Sequence, residues 1–245
     1  MTNPILNSSF NPETRAFELQ GKPMTIGGVM NKLGFLAILM ALSGGATWYQ
    51  FAIGNFDKVT ALTMGGLIIG LIMALISMFA KNIAKFTIPI YAFAEGAALA
   101  GISCFFEAQF PGIVVKAVSM TFITLFAMYF LYATRVIKVT ETFRSTIITM
   151  TVSIMVFYLI AWILSLFHIQ IPMLYGSSML SIGFSVFVCG VAAFNLMLDF
   201  DFIEQASRNF FPKDYEWFGA FGLIATLVWL YVEILNLLSK LNRNN

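Results

Sequence analysis

The chain alternates long apolar runs with short polar breaks. Seven runs reach the length that crosses a hydrocarbon layer, about 20 predominantly apolar residues. They lie at roughly 33–54, 59–80, 86–107, 112–134, 146–167, 177–200 and 215–238. The breaks carry turn or charge signals, among them GNFDK, KNIAK, QFPG, TRVIKVTETFR, HIQIPMLYG and QASRNFFPKD. Inside lipid only helices and closed barrels satisfy their own backbone. These unbroken runs lack the apolar–polar alternation of a barrel's strands of about ten residues. The pattern therefore predicts an all-α membrane protein with seven transmembrane helices. It divides the chain into a short soluble N-terminal arm (1–31), a seven-helix transmembrane domain (32–241) and a polar tail (242–245). No low-complexity segment and no clear repeat is visible.

Composition strengthens this reading. Hydrophobic residues make up 59% and charged residues 11%, with mean hydropathy +0.85, whereas a soluble domain carries about 25% charged residues. The expected surroundings are a lipid bilayer. A formal net charge of +2 is too small to suggest nucleic acid. Cys104 and Cys189 both lie in apolar runs and give neither a disulfide framework nor a zinc pattern. Residues 1–31 lack a basic segment followed by an apolar core, so no cleavable signal peptide is expected. With the N-terminus inside, ten Lys and Arg fall on inside segments (Arg15, Lys22, Lys32, Lys81, Lys85, Arg135, Lys138, Arg144, Arg208, Lys213) and four outside (Lys58, Lys116, Lys240, Arg243). Positive charge favours the inside. Seven spans then place the C-terminus outside.

Polar residues inside the spans carry the candidate chemistry. An ionisable group at a membrane helix centre costs roughly 2.5–3.5 kcal/mol on insertion scales, so it normally has a partner or faces a water-filled cavity. In LVWLYVEILNLL, Glu233 is such a group. Gly219, Gly222, Thr226, Glu233, Asn236 and Lys240 form one small-or-polar stripe on the last helix, suited to close packing and cross-helix bonds. The sixth span has a matching stripe: Ser181, Ser185, Cys189, Ala192, Asn195 and Asp199. Asp201 lies about 200° around the helix from Asp199, so the helical period selects Asp199 as the inward acid. Asp201, with Glu204, Asp214 and Glu216, is expected in solvent or among headgroups. Glu95, in IYAFAEGAALAGIS, is a third intramembrane acid, set among small residues. Each inward acid also has a plainer reading. Glu233 could snorkel beside Lys240, Asp199 could end its helix in solvent, and Glu95 could bond a nearby Ser or Thr. Two carboxylates that meet in low dielectric share a proton and titrate as a pair. Their oxygens also suit a hard cation such as calcium. Asp199 is the first expected partner of Glu233, and Glu95 the second. A straight helix from Tyr215 puts Glu233 roughly 27 Å from its inner end, so the two meet only if the sixth helix continues toward Ser207 or Trp217–Gly222 runs along the interface.

Several segments together resemble the Bax inhibitor-1 (TMBIM-type) membrane proteins, in particular a bacterial branch of the Bax inhibitor-1/YccA family. They are MTIGGVMNKLG, YAFAEGAALAGIS, FPGIVVKAVSMT, RVIKVTETFR, DFDFIE and EWFGAFGLIATLVWLYVEILNLLSKL, spread from about Met24 to Leu241. The resemblance implies six helices wrapped around a central C-terminal one, in a bacterial inner membrane. It also implies a pair of aspartates on the last two helices that act as a pH-responsive latch over a calcium leak path. The family's Tyr-Asp motif falls on LDFDFIE, putting Asp199 on the aspartate and Leu198 on the tyrosine. Its Leu-Tyr-Leu-Asp-Ile-Ile-Asn-Leu motif falls on LYVEILNL, putting Glu233 on the second aspartate.

The leading expectation is a cation leak gated by Asp199 and Glu233, with Glu95 and Asp201 as secondary acids. It needs no cofactor beyond a transiently bound calcium ion. The competing expectation is a non-conducting regulator that acts on a membrane protein partner, such as a protease, through the N-terminal arm and TRVIKVTETFR. No enzyme is expected. The single histidine, His168, cannot build the two-histidine zinc motif H-E-x-x-H, no span contains Gly-x-Gly-Asp, and Lys240 lies too near the helix end for a retinal-type Schiff base.

Overall fold

The computed structural model describes residues 23–169, 171–176 and 178–244. Most of the expected N-terminal arm, with Arg15 and Lys22, lies outside the described residues. Among the described residues there are seven long helices: α1 Ile26–Ala52, α2 Phe56–Phe79, α3 Ala84–Gln109, α4 Ile113–Ala133, α5 Glu141–Leu166, α6 Met179–Arg208 and α7 Tyr215–Asn244. A 3-10 turn, Lys81–Ile83, precedes α3, and a one-turn helix, Pro172–Tyr175, precedes α6. All seven are long and apolar enough to span a membrane, and no strand occurs among the described residues. The protein is an integral, multi-pass, all-α membrane protein.

Local chemistry fixes the helix starts. Thr25 caps α1 by accepting the Gly28 N–H, Asn55 caps α2 through Lys58 N–H, and Thr140 caps α5 through Phe143 N–H. Ser, Thr and Asn are favoured there because their side chains accept N–H groups that have no partner within the helix. In α1, α2 and α5, 17% of the apolar membrane-length stretch is buried, rising to 22% in α4, 33% in α6, 50% in α7 and 56% in α3. The outer faces of α1, α2, α4 and α5 carry large apolar side chains such as Phe79, Phe126 and Leu71. Apolar surface of that extent is covered by lipid rather than water.

The chain divides into two compact units. One holds the residues up to Ile102 with Asp201–Ile224; the other holds Ser103–Phe200 with Ala225–Asn245. In the first unit, small residues bring helix backbones together. A Cβ at Gly96 on α3 would sit 2.4 Å from the Met40 carbonyl oxygen and 2.6 Å from the Met40 Cα on α1. Only glycine permits that approach. Ser77 and Thr87 join α2 to α3 through a 2.6 Å hydroxyl–hydroxyl bond. In the second unit, Ile154, Val188 and Val191 form a buried cluster with Tyr158, Phe184 and Trp229 packed around it. Ser103 and Tyr231 share a buried 2.7 Å bond between α3 and α7.

Candidate functional site

A cavity of about 730 Å³, mostly apolar but with a line of polar side chains, lies within the second unit, among α5, α6 and α7. Its lining includes Thr151 and Tyr158 of α5, Ser185 and Asn195 of α6, and Thr226, Trp229, Glu233, Asn236 and Lys240 of α7. The stripe expected on α7 supplies four of these residues, and the stripe on α6 supplies Ser185 and Asn195. The helical period placed these faces correctly.

Glu233 is only 3% exposed. Its Oε1 accepts from the Tyr158 hydroxyl at 2.9 Å and from the Trp229 indole N–H at 3.1 Å. Both donors converge on Oε1. Tyr158 was not legible as a site residue, because its position inside an apolar span gives no hint of which helix it faces. Asn195 is held by the Thr151 hydroxyl, at 2.7 Å, and by the Val191 carbonyl, at 2.9 Å, to both of which it donates. At the far end, Lys240 is 6% exposed. Its ammonium donates to Ser185 Oγ at 2.8 Å and to the Ser181 carbonyl at 3.4 Å. Lys240 stands about one turn before the end of α7 at Asn244, and there its ammonium is enclosed against α6.

Asp199 and Glu233 do not meet. The Thr226 hydroxyl lies beside the Asp199 carboxyl, while the Asp199 Oδ2 is enclosed without a hydrogen-bond partner. The reason is register. Ser185 pairs with Lys240 and Asp199 lies beside Thr226, which fixes α6 and α7 as antiparallel neighbours. Glu233 is seven residues beyond Thr226, so it lies two turns, about 10.5 Å, further along α7. Continuation of α6 to Arg208 removes the tension over depth but sets Asp199 against the wrong turn for a carboxyl–carboxyl contact.

The other acids fall in the first unit. Glu95 is half-buried, with an oxygen 3.0 Å from where a Cβ would stand at Gly70 on α2. Asp201 was expected among headgroups or in solvent; it is 9% exposed and accepts from Gln205 Nε2 at 2.7 Å. Glu216 was also expected in solvent, and is the larger correction at 1% exposed. Its Oε1 accepts from the backbone N–H and the hydroxyl of Thr25, each at 3.1 Å, and its Oε2 pairs with Lys32. The Lys32 ammonium also stands 5.2 Å from the Trp217 ring centroid. A carboxylate in the first turn of α7 thus also lies against the N-terminus of α1, and both helix dipoles favour it. No pattern in the sequence pairs residues so far apart.

Among the described residues, no three His, Cys, Asp or Glu side chains converge as a metal site. The cavity instead offers one carboxylate, Glu233, with the amides of Asn195 and Asn236 and the hydroxyls of Thr151, Tyr158 and Thr226 also in its lining.

Comparison with known proteins bears on the whole chain. Neither the curated proteins nor the solved structures contain a significant match. The sequence profile of the family described as Bax inhibitor 1 like matches residues 3–243. With that match across nearly its whole length and seven apolar helices, the chain belongs to the Bax inhibitor 1 like family.

Proposed function

We propose that the protein is a pH-responsive leak for cations, calcium foremost, in a bacterial plasma membrane, with its N-terminus inside and C-terminus outside. On this reading it performs no covalent chemistry and holds no resident cofactor. The observation that carries the reading is Glu233, a buried carboxylate that lines the cavity and has one oxygen held by two donors. A fully ionised carboxylate there attracts a cation, and a protonated one does not. The titratable groups facing it are Tyr158 from α5, Cys189 from α6 and Lys240 on α7.

Glu233 and Asp199 serve on this reading as two stations rather than one shared-proton latch. At about 10.5 Å and an effective dielectric of about 20, their charges couple by about 1.6 kcal/mol. A cation at one station then changes its occupancy when the other acid ionises by about 15-fold if monovalent and about 200-fold if divalent. Protonation of either acid weakens the cavity's hold on a cation, so flux falls as pH falls.

Calcium flux into proteoliposomes, measured across a pH series, tests this. The wild type is expected to show flux that rises with pH, Glu233→Gln a low and nearly flat profile, and Asp199→Asn a shifted one. An unchanged pH profile in Glu233→Gln sinks the proposed role of that carboxylate. No flux at any pH from folded protein moves the reading to a non-conducting regulator with a membrane protein partner.

A further inference from the structure

We propose that Lys240 is a tethered cation that weakens the cavity's hold on divalent ions more than on monovalent ones and so limits the calcium leak. This rests on the cation-leak reading above and adds a residue that the carboxylate latch does not include. Four observations converge. Lys240 lines the cavity that Glu233 faces. It is almost wholly enclosed. Its ammonium is fixed by two neutral oxygens, Ser185 Oγ at 2.8 Å and the Ser181 carbonyl at 3.4 Å, so its charge is not cancelled by a carboxylate at contact distance. It follows Glu233 by seven residues, about 10.5 Å along the same face of α7.

A neutral donor would tie α6 to α7 through the same two oxygens without the cost of enclosing a charge. What the ammonium adds is a field along the cavity. At about 10.5 Å and an effective dielectric of about 20, it lowers the occupancy of a monovalent cation at Glu233 by about 15-fold. A divalent cation feels twice the energy, so its occupancy falls by about 200-fold. Lys240 therefore shifts the ratio of divalent to monovalent passage by about tenfold or slightly more. The carboxylate makes the site attractive to cations, and the lysine keeps the calcium leak small.

The test measures calcium and potassium flux side by side in proteoliposomes of the full chain, for the wild type, Lys240→Met, Lys240→Gln and Lys240→Arg. The calcium-to-potassium flux ratio is expected to rise about tenfold in Lys240→Met and Lys240→Gln, and Lys240→Arg to retain the wild-type preference. Lys240→Gln keeps a donor for Ser185 Oγ and covers the case in which Lys240→Met does not fold. A merely structural tie between helices would alter both fluxes together and leave the ratio in place. A conducting wild type with an unchanged ratio in the folded neutral variants overturns the role of Lys240 alone. Silence of the wild type and of every variant overturns the leak reading and this one with it. A silent wild type with conducting neutral variants supports the lysine as the barrier.

Discussion

Removing Lys32 strands the Glu216 carboxylate in a buried position. In the wild type that carboxylate has three donors: two from Thr25 at 3.1 Å and the Lys32 ammonium. Lys32→Met leaves the two Thr25 bonds and takes away the only one of the three that carries charge. Deleting one partner of a buried ion pair costs about 3–5 kcal/mol. Lys32 is 17% exposed at its side chain, and Thr25 still solvates the acid, so a loss of about 3 kcal/mol is expected. Glu216→Gln should cost about 2 kcal/mol, since the stranded lysine can reach water. The double variant Lys32→Met/Glu216→Gln leaves no buried charge and should fall short of the sum by about 2 kcal/mol, within the range of coupling for contacting residues. Reversible unfolding in detergent, followed by tryptophan fluorescence, measures all four proteins. Additivity within about 0.5 kcal/mol would refute the pair as an energetic unit. Gly28 supplies a second check. A Cβ there would lie 2.1–2.4 Å from the Glu216 carboxyl atoms, so Gly28→Ala destabilises the wild type. In a Glu216→Ala background the obstruction is gone, and the same change should stabilise by up to about 1 kcal/mol through helix propensity.

Two further outcomes follow from the packing. Gly96→Ala should destabilise by about 1–3 kcal/mol through overpacking against Met40, while Gly65→Ala, where a Cβ meets nothing within 4 Å, should be neutral or mildly stabilising in the same unfolding assay. Tyr158→Phe removes one of two donors to Glu233 Oε1; it should cost about 1.5–3 kcal/mol as a bond to a charged group and displace the pH dependence of calcium flux, with an unaltered profile counting against the Tyr158–Glu233 bond.

The spans were legible because apolar runs of membrane length have few alternatives. Their ends were less so. α1 begins at Ile26 rather than near residue 33, because Gly27, Gly28 and Lys32 depress the local hydropathy although Lys32 is paired within the protein. α6 runs on to Arg208 past the expected end, since Gln205 donates to Asp201 and Arg208 pairs with Glu204, one turn apart in each case. Helical periodicity identified the cavity faces of α6 and α7, because it depends only on spacing along one helix. It could not give the register between them. That offset alone decides that Asp199 lies beside Thr226 rather than Glu233. The Lys32–Glu216 pair was hidden for a related reason: charges near span ends read as solvated until the partner helix is placed.

The most direct test of the cavity carboxylate is an infrared difference spectrum on adding calcium to the purified protein, wild type against Glu233→Gln. The carboxylate stretching band is expected to shift in the wild type as Glu233 takes up the ion, and that component of the difference should be missing from Glu233→Gln. The same calcium-induced carboxylate band in both proteins would contradict Glu233 as the group that meets the cation.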